Sequence, residues 1–192
     1  DLMAVYTKFN KKNIEEILSN YNLGKLDFFK GIEEGIENTN YLLSVNKAKF
    51  ILTIYEKRVK SQDLPFFSQL MTSLNKANFK CPVPIVNNQK KTLTNYNGKK
   101  LMIVSFLEGK DKKSLNLKNC YEVGKMIAEI HLSTKKINLS RKNSMGIKYL
   151  NPLLNSIKFK SKKFVNVEKF LKTNFKDIKT KWPKKLPSGI IH

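Results

Sequence analysis

Residues 28–58 constrain the fold of this 192-residue chain more than any other stretch. Gly31 and Gly35 bracket a polar turn in it. Because glycine lets the main chain approach a ligand closely, such a turn can lay backbone N–H groups over a phosphate chain. The same residues fit an ordinary meander without a ligand equally well. β-branched and aromatic content predicts strands over residues 26–30, Thr39–Val45 and residues 50–55.

A second group of strands completes the predicted sheet. The dipeptide Asn97-Gly98 is a strong hairpin signal, and strand-forming residues lie on both sides of it, over 92–96 and 99–106. Between the two groups, Ser61 followed by Pro65 begins a helix. The pattern predicts an α+β unit in which a helix is inserted after the third strand of a five-stranded antiparallel sheet.

Helices replace strands after residue 106. Amphipathic spacing predicts helices over residues 13–21, 119–132 and 165–182, with a polar loop over 135–148. We therefore predict an N-lobe over residues 1–104, a hinge over 105–110 and the first part of a helical C-lobe over 111–192.

The chain is strongly basic, with 37 Lys and Arg against 15 Asp and Glu and a net charge of +22. Such a charge favours nucleic acid as a partner. The excess is almost entirely lysine in scattered pairs, whereas arginine, the usual reader of base edges, occurs only at Arg58 and Arg141. Nucleic-acid binding is therefore a less favoured alternative.

The apolar runs and the cysteines of the sequence indicate the cellular compartment. No apolar run reaches the length of a membrane span. Cys81 and Cys120 have no metal-ligand spacing, and isolated cysteines of this kind are typical of reduced, buried thiols. We expect a cytoplasmic protein that contacts no membrane.

Residues 31–41, 50–58, 81–84 and 105–109 together resemble a known family. In this order they are similar to the bacterial homoserine kinases of the aminoglycoside phosphotransferase and choline kinase superfamily, whose fold is protein-kinase-like. The resemblance implies transfer of the ATP γ-phosphate, with Mg²⁺, to the side-chain hydroxyl of L-homoserine. The product is O-phospho-L-homoserine, an intermediate of threonine biosynthesis.

The resemblance also implies roles in nucleotide binding. The residues that would lie in the turn over the phosphates are Gly31, Gly35 and Asn38. The residues whose backbone would form the adenine-recognising hinge are Ser105, Phe106 and Leu107.

One position departs from the family pattern. The family usually carries Lys or Arg on the third strand to hold the α- and β-phosphates, and Thr53 stands there in this chain. Lys57 or Arg58, at the end of that strand, would reach the phosphates instead, although both also fit ordinary surface charges. The acidic partner expected on the inserted helix falls near Phe67, so no ion pair is assigned.

His192 would be the first residue of the family's His-x-Asp-Leu-x-x-x-Asn catalytic loop. In that pattern the Asp orients the attacking hydroxyl and acts as its base, while the Asn and a later Asp bind magnesium. These residues are not in this sequence, so no metal ligand is assigned. Because phosphoryl transfer depends on such positioned groups, we expect this 192-residue chain to lack kinase activity by itself.

The nearest alternative within the superfamily is a kinase that acts on choline, an aminoglycoside or a thioribose. Their acceptor sites lie largely in the C-lobe, so the overall resemblance is what favours homoserine.

Overall fold

The computed structural model describes residues 6–34, 37–56, 60–143, 146–157, 164–183 and 185–191. The chain divides into two compact units, one of residues 1–139 with 190–192 and the other of residues 140–189. The lobe and hinge boundaries drawn from the sequence, at residues 104 and 110, stay predictions.

The first unit contains an antiparallel sheet. Its strands are β1 (Leu26–Ile32), β2 (Thr39–Val45), β3 (Ala48–Tyr55), β4 (Thr94–Tyr96) and β5 (Lys99–Ser105). They lie in the spatial order β1-β2-β3-β5-β4. The predicted five-stranded sheet is confirmed, and Thr39–Val45 has the predicted bounds.

The hairpin turns between β2 and β3 and between β4 and β5 are tight. Asn46 and Lys47, between β2 and β3, have φ values of 48° and 66°, and Asn97 and Gly98 have values of 48° and 75°. Paired positive φ angles define the turn whose twist matches that of antiparallel strands. The Asp27 carboxylate accepts hydrogen bonds from the Lys47 N–H (2.8 Å) and the Ser44 hydroxyl (3.0 Å), and these bonds lower the pKa of Asp27.

Helix α1 (Lys11–Leu18) packs on one face of the sheet through Ile14, Ile17 and Leu18. It begins two residues before the predicted start, because Asn10 and Asn13 form a reciprocal cap in which each side chain accepts the other's N–H at 3.0 Å. The strand residues buried beneath it are Leu26, Tyr41, Leu43, Val45, Leu52, Ile54, Leu101 and Ile103.

Helix α2 (Leu64–Lys76) follows β3 after a short 3₁₀ turn at Ser61–Asp63, which confirms the inserted helix. Helix α3 (Leu117–Thr134) lies in the first unit, where the Thr134 hydroxyl donates to the Ile190 carbonyl at 3.1 Å. Among the described helices, none is both long and apolar enough to cross a bilayer.

The second unit contains α4 (Ile147–Ser156) and α5 (Val165–Lys181). Helix α5 agrees with its prediction, whereas α4 has no counterpart in the prediction, which leaves residues 149–164 without an element. The local signals oppose a helix at α4, because Pro152 lies in its interior and Gly146 provides no side-chain cap.

The expectation of buried thiols is wrong for Cys120. Both cysteines are free, but Cys81 is half-buried and Cys120 is exposed on α3. The reason is that Cys120 lies on a helix face that the described residues leave exposed, alongside Leu117 and Tyr121.

Two glycine substitutions of the same chemistry should shift stability in opposite directions. Gly98→Ala should lower the free energy of unfolding by about 1 kcal/mol, because an L-residue is disfavoured at positive φ. Gly124→Ala, in open space on α3, should raise it by about 0.5–1 kcal/mol, because alanine favours the helix. Urea denaturation measures both, and a loss of stability at Gly124 would contradict the placement of α3.

Candidate functional site

The sheet has a second face, opposite the core, which includes the third-strand position where the family pattern places a cation. Leu52 and Ile54 are fully buried in the core, so Thr53 between them points to the other face. Its hydroxyl donates to the Asn40 side chain at 2.8 Å, and its partner on β5 is the fully buried Met102. The strand position where the family pattern places a cation is therefore neutral and already hydrogen-bonded.

The predicted hinge begins at Ser105, the last residue of β5, and continues beyond the strand. The Ser105 N–H donates to the Val83 carbonyl, and its hydroxyl accepts from the Val83 N–H, both at 2.9 Å. The Phe106 N–H donates to the Lys49 carbonyl at 3.3 Å. Leu107 is 39% exposed, and its backbone makes no hydrogen bond within the part of the chain that the structure describes. Of the predicted hinge residues, Leu107 thus leaves both its N–H and its carbonyl available to an adenine edge.

Lys49, which no sequence motif indicated, contacts this segment. Lys49 Nζ lies 2.9 Å from Glu108 Oε1 and 5.2 Å from the centroid of the Phe106 ring. Both partners of the ion pair are largely exposed, so it fixes geometry more than it adds stability.

The glycine turn differs from the prediction in one respect. Gly31 lies inside β1, paired with Tyr41, so the described turn begins only after Ile32. Glu33, Glu34 and Glu37 are exposed in or beside it. Since these side chains are negative, any attraction for a phosphate at this turn must come from backbone N–H groups.

Asn38 is half-buried just before β2. Its Oδ1 is buried and has no hydrogen-bond partner among the described residues. A buried polar atom without a partner is uncommon in folded proteins.

A cluster of polar side chains, here named the clamp, fixes the start of β2. It consists of Thr7, Thr39, Glu56 and Lys99. Glu56 accepts from the Thr7 and Thr39 hydroxyls at 2.5 and 2.9 Å and from Lys99 Nζ at 2.6 Å. Burial alone raises the pKa of Glu56, but these hydrogen bonds outweigh it, and the net effect is a lowered pKa. The clamp was not predicted from the sequence, because no local pattern links residues so far apart.

Gly35, Lys57, Arg58 and His192 lie outside the described residues. Their roles in covering the phosphates, holding them and beginning the catalytic loop stay predictions.

A cavity of about 900 Å³ lies between α2, residues 90–95 and residues 136–139. Its lining contains no carboxylate among the described residues and includes Lys76, Lys90, Lys91, Lys100 and Lys136. Of the predicted site residues that the structure describes, none lines this basic cavity.

Protonation of Glu56 should destabilise the fold in acid. Its folded pKa is lowered below the ordinary value of 4.5, so its contribution is present above that value and is lost as the pH falls through the folded pKa. As the pH falls below about 4.5, the free energy of unfolding should fall more steeply for the wild type than for Glu56→Gln. Denaturation at a series of pH values measures this, and parallel curves would contradict it.

Comparison with known proteins identifies relatives along the whole chain. Homoserine kinase of Afipia carboxidovorans is 36% identical over 191 residues, which cover 99% of this chain and 59% of the relative. Homoserine kinase of Paramagnetospirillum magneticum is 37% identical over 194 residues, which cover 99% of this chain and 59% of that relative. The chain therefore spans about 60% of the length of the curated relatives that it matches.

Solved structures share the fold at low sequence identity. Amicoumacin kinase, in complex with AMP-PNP, Ca²⁺ and Ami, superposes with a TM-score of 0.70 at 11% identity, covering 94% of this chain and 55% of that one. The AMP-bound complex of spectinomycin phosphotransferase superposes with a TM-score of 0.61 at 16% identity, and the match covers 94% of this chain and 61% of that one. These similarities confirm the predicted protein-kinase-like α+β fold.

The family is established by a match that includes most of the sheet, the candidate hinge and helices α2 to α5. Residues 29–192 match the model of the phosphotransferase enzyme family, and the candidate hinge and turn lie within that range. The chain belongs to the phosphotransferase enzyme family.

Proposed function

We propose that the protein is a homoserine kinase, which transfers the γ-phosphate of ATP to the hydroxyl of L-homoserine and forms O-phospho-L-homoserine for threonine biosynthesis. The observation that supports it is 35–37% identity to homoserine kinases across 99% of the chain. Since the chain spans about 60% of those relatives, the proposal concerns the protein at their full length.

ATP supplies the phosphoryl group, and the role of this chain is to bind and orient it. In the proposal, the free backbone N–H and carbonyl of Leu107 contact the adenine edge, while the turn that ends at Asn38 covers the phosphates. Backbone groups fix the nucleotide without a strand cation, since Thr53 is neutral. Phosphoryl transfer gains most of its rate from such positioning and from electrostatic stabilisation.

The proposed charge contacts come from Lys57 or Arg58, and His192 begins the proposed catalytic loop. The family also implies Mg²⁺. The described residues include no group of three or more His, Cys, Asp or Glu side chains that could hold a metal ion. We therefore assign no step to a metal within this chain.

The basic cavity favours a second candidate, binding of nucleic acid through lysine-rich surface. Five lysines line it and no described carboxylate offsets them. This candidate requires DNA affinity that falls steeply with salt concentration and is indifferent to ATP.

Among alcohols, L-homoserine should be the preferred acceptor of the full-length protein. Its kcat/KM should exceed those for choline, an aminoglycoside and a thioribose in a coupled assay of ADP release. The 192-residue chain assayed alone should show no turnover above background. A higher kcat/KM for choline would contradict the proposed substrate, and salt-sensitive DNA binding without any ATP-dependent activity would favour the second candidate.

The hinge should depend on the backbone of Leu107 rather than on its side chain. Leu107→Pro removes the N–H and should weaken binding of a nonhydrolysable ATP analogue by about fivefold to tenfold, the value of one hydrogen bond. Leu107→Ala retains the N–H and should bind within about twofold of the wild type. Calorimetry on the full-length protein measures both, and equal losses in the two variants would contradict the hinge assignment.

A further inference from the structure

We propose that Thr39 and Glu56 are positioning residues, which hold the glycine turn over the nucleotide phosphates through the clamp. This inference rests on the proposed function, because it gives the turn its ligand. The clamp itself is a feature of the described residues.

Thr39 uses the full hydrogen-bonding capacity of its hydroxyl. The oxygen accepts from the N–H groups of Tyr6 (3.0 Å) and Thr7 (3.1 Å), and the hydroxyl donates to Glu56 at 2.9 Å. The residue is fully buried. Because every lone pair and proton is used, the start of β2 is held in one place relative to the segment before α1.

Glu56 connects the same point to the rest of the sheet. Its side chain is 13% exposed and pairs with Lys99 at the start of β5. Lys99 Nζ also lies 2.6 Å from the Thr7 hydroxyl, which closes the cluster into a ring of contacts. The clamp therefore joins the segment before α1, the start of β2, the end of β3 and the start of β5.

The position of the clamp gives it a role beyond holding strands together. Thr39 directly follows Asn38, whose buried oxygen has no partner among the described residues, and Glu56 directly precedes the proposed cations Lys57 and Arg58. Glycine-bearing turns have little conformational preference of their own, so their path is set by the residues that anchor their ends. Loss of the clamp should therefore displace the phosphate-covering turn and leave the distant hinge and acceptor site in place.

A pair of variants at Thr39 and a matched control separate positioning from general stability. Thr39→Val keeps the shape and removes the hydroxyl, whereas Thr39→Ser keeps the hydroxyl. The control is Thr94→Val, at the other edge of the same sheet, which removes a hydroxyl bonded to Tyr21 (2.7 Å) and Asn87 (3.2 Å). All are compared in the full-length protein, at a temperature where denaturation curves show them folded.

We expect Thr39→Val to raise the KM for ATP by about tenfold, because small displacements of positioning groups are costly in phosphoryl transfer. The KM for L-homoserine should not change. Thr39→Ser should restore the KM for ATP to within about threefold of the wild type, and Thr94→Val should lower stability without changing that KM. An unchanged KM for ATP in Thr39→Val, or an equal rise in Thr94→Val, would overturn the inference.

A second variant covers the case in which Thr39→Val does not fold. Glu56→Gln keeps the side-chain shape and removes the charge that Lys99 balances, and it should raise the KM for ATP in the same way. A wild-type protein without ATP-dependent phosphorylation of L-homoserine would refute the proposed function itself. An active wild type with an unaltered Glu56→Gln variant would refute only the role of the clamp.

Discussion

The carboxylate of Glu56 is the group on which the arrangement around the glycine turn depends. A largely buried charge is tolerated only when its hydrogen-bonding positions are filled, and here Thr7, Thr39 and Lys99 fill them. Each of these donors comes from a different part of the chain. Satisfying one carboxylate therefore fixes the segment before α1, the start of β2 and the start of β5 at the same time.

Alternation along the strands separates the core from the candidate site. Leu52 and Ile54 face α1 and the buried cluster, and Thr53 faces the opposite side with Asn40 and Met102. Because the period of a strand is two residues, a core on one face leaves the other face of the same strands for a ligand. The predicted hinge begins where the sheet stops, since β5 ends at Ser105 and the next residues leave the sheet.

Among the residues that the structure describes, positive charge is not concentrated at the candidate turn. Lysines surround the basic cavity, whereas the turn itself carries exposed glutamates and the family's strand cation is replaced by Thr53. Within the described residues, backbone N–H groups are the donors available to a phosphate at the turn. The proposed role of the clamp follows from this, because backbone N–H groups bind a phosphate only where the path of the turn places them.

Local sequence signals determined the five strands, the tight turn at Asn97-Gly98 and the helix inserted after β3, because dihedral preference and alternation act over a few residues. The same locality explains the failure at α4, where Pro152 and an uncapped start oppose a helix. The hinge and turn were located from family motifs, yet which backbone groups remain free depends on partners such as Val83. Thr7 and Lys99 are 92 residues apart and meet at Glu56 only after the sheet has formed, so no sequence pattern marks the clamp. Tertiary structure alone determined the clamp, because the donors that reach the buried carboxylate of Glu56 are those close to it in space and not those close along the chain.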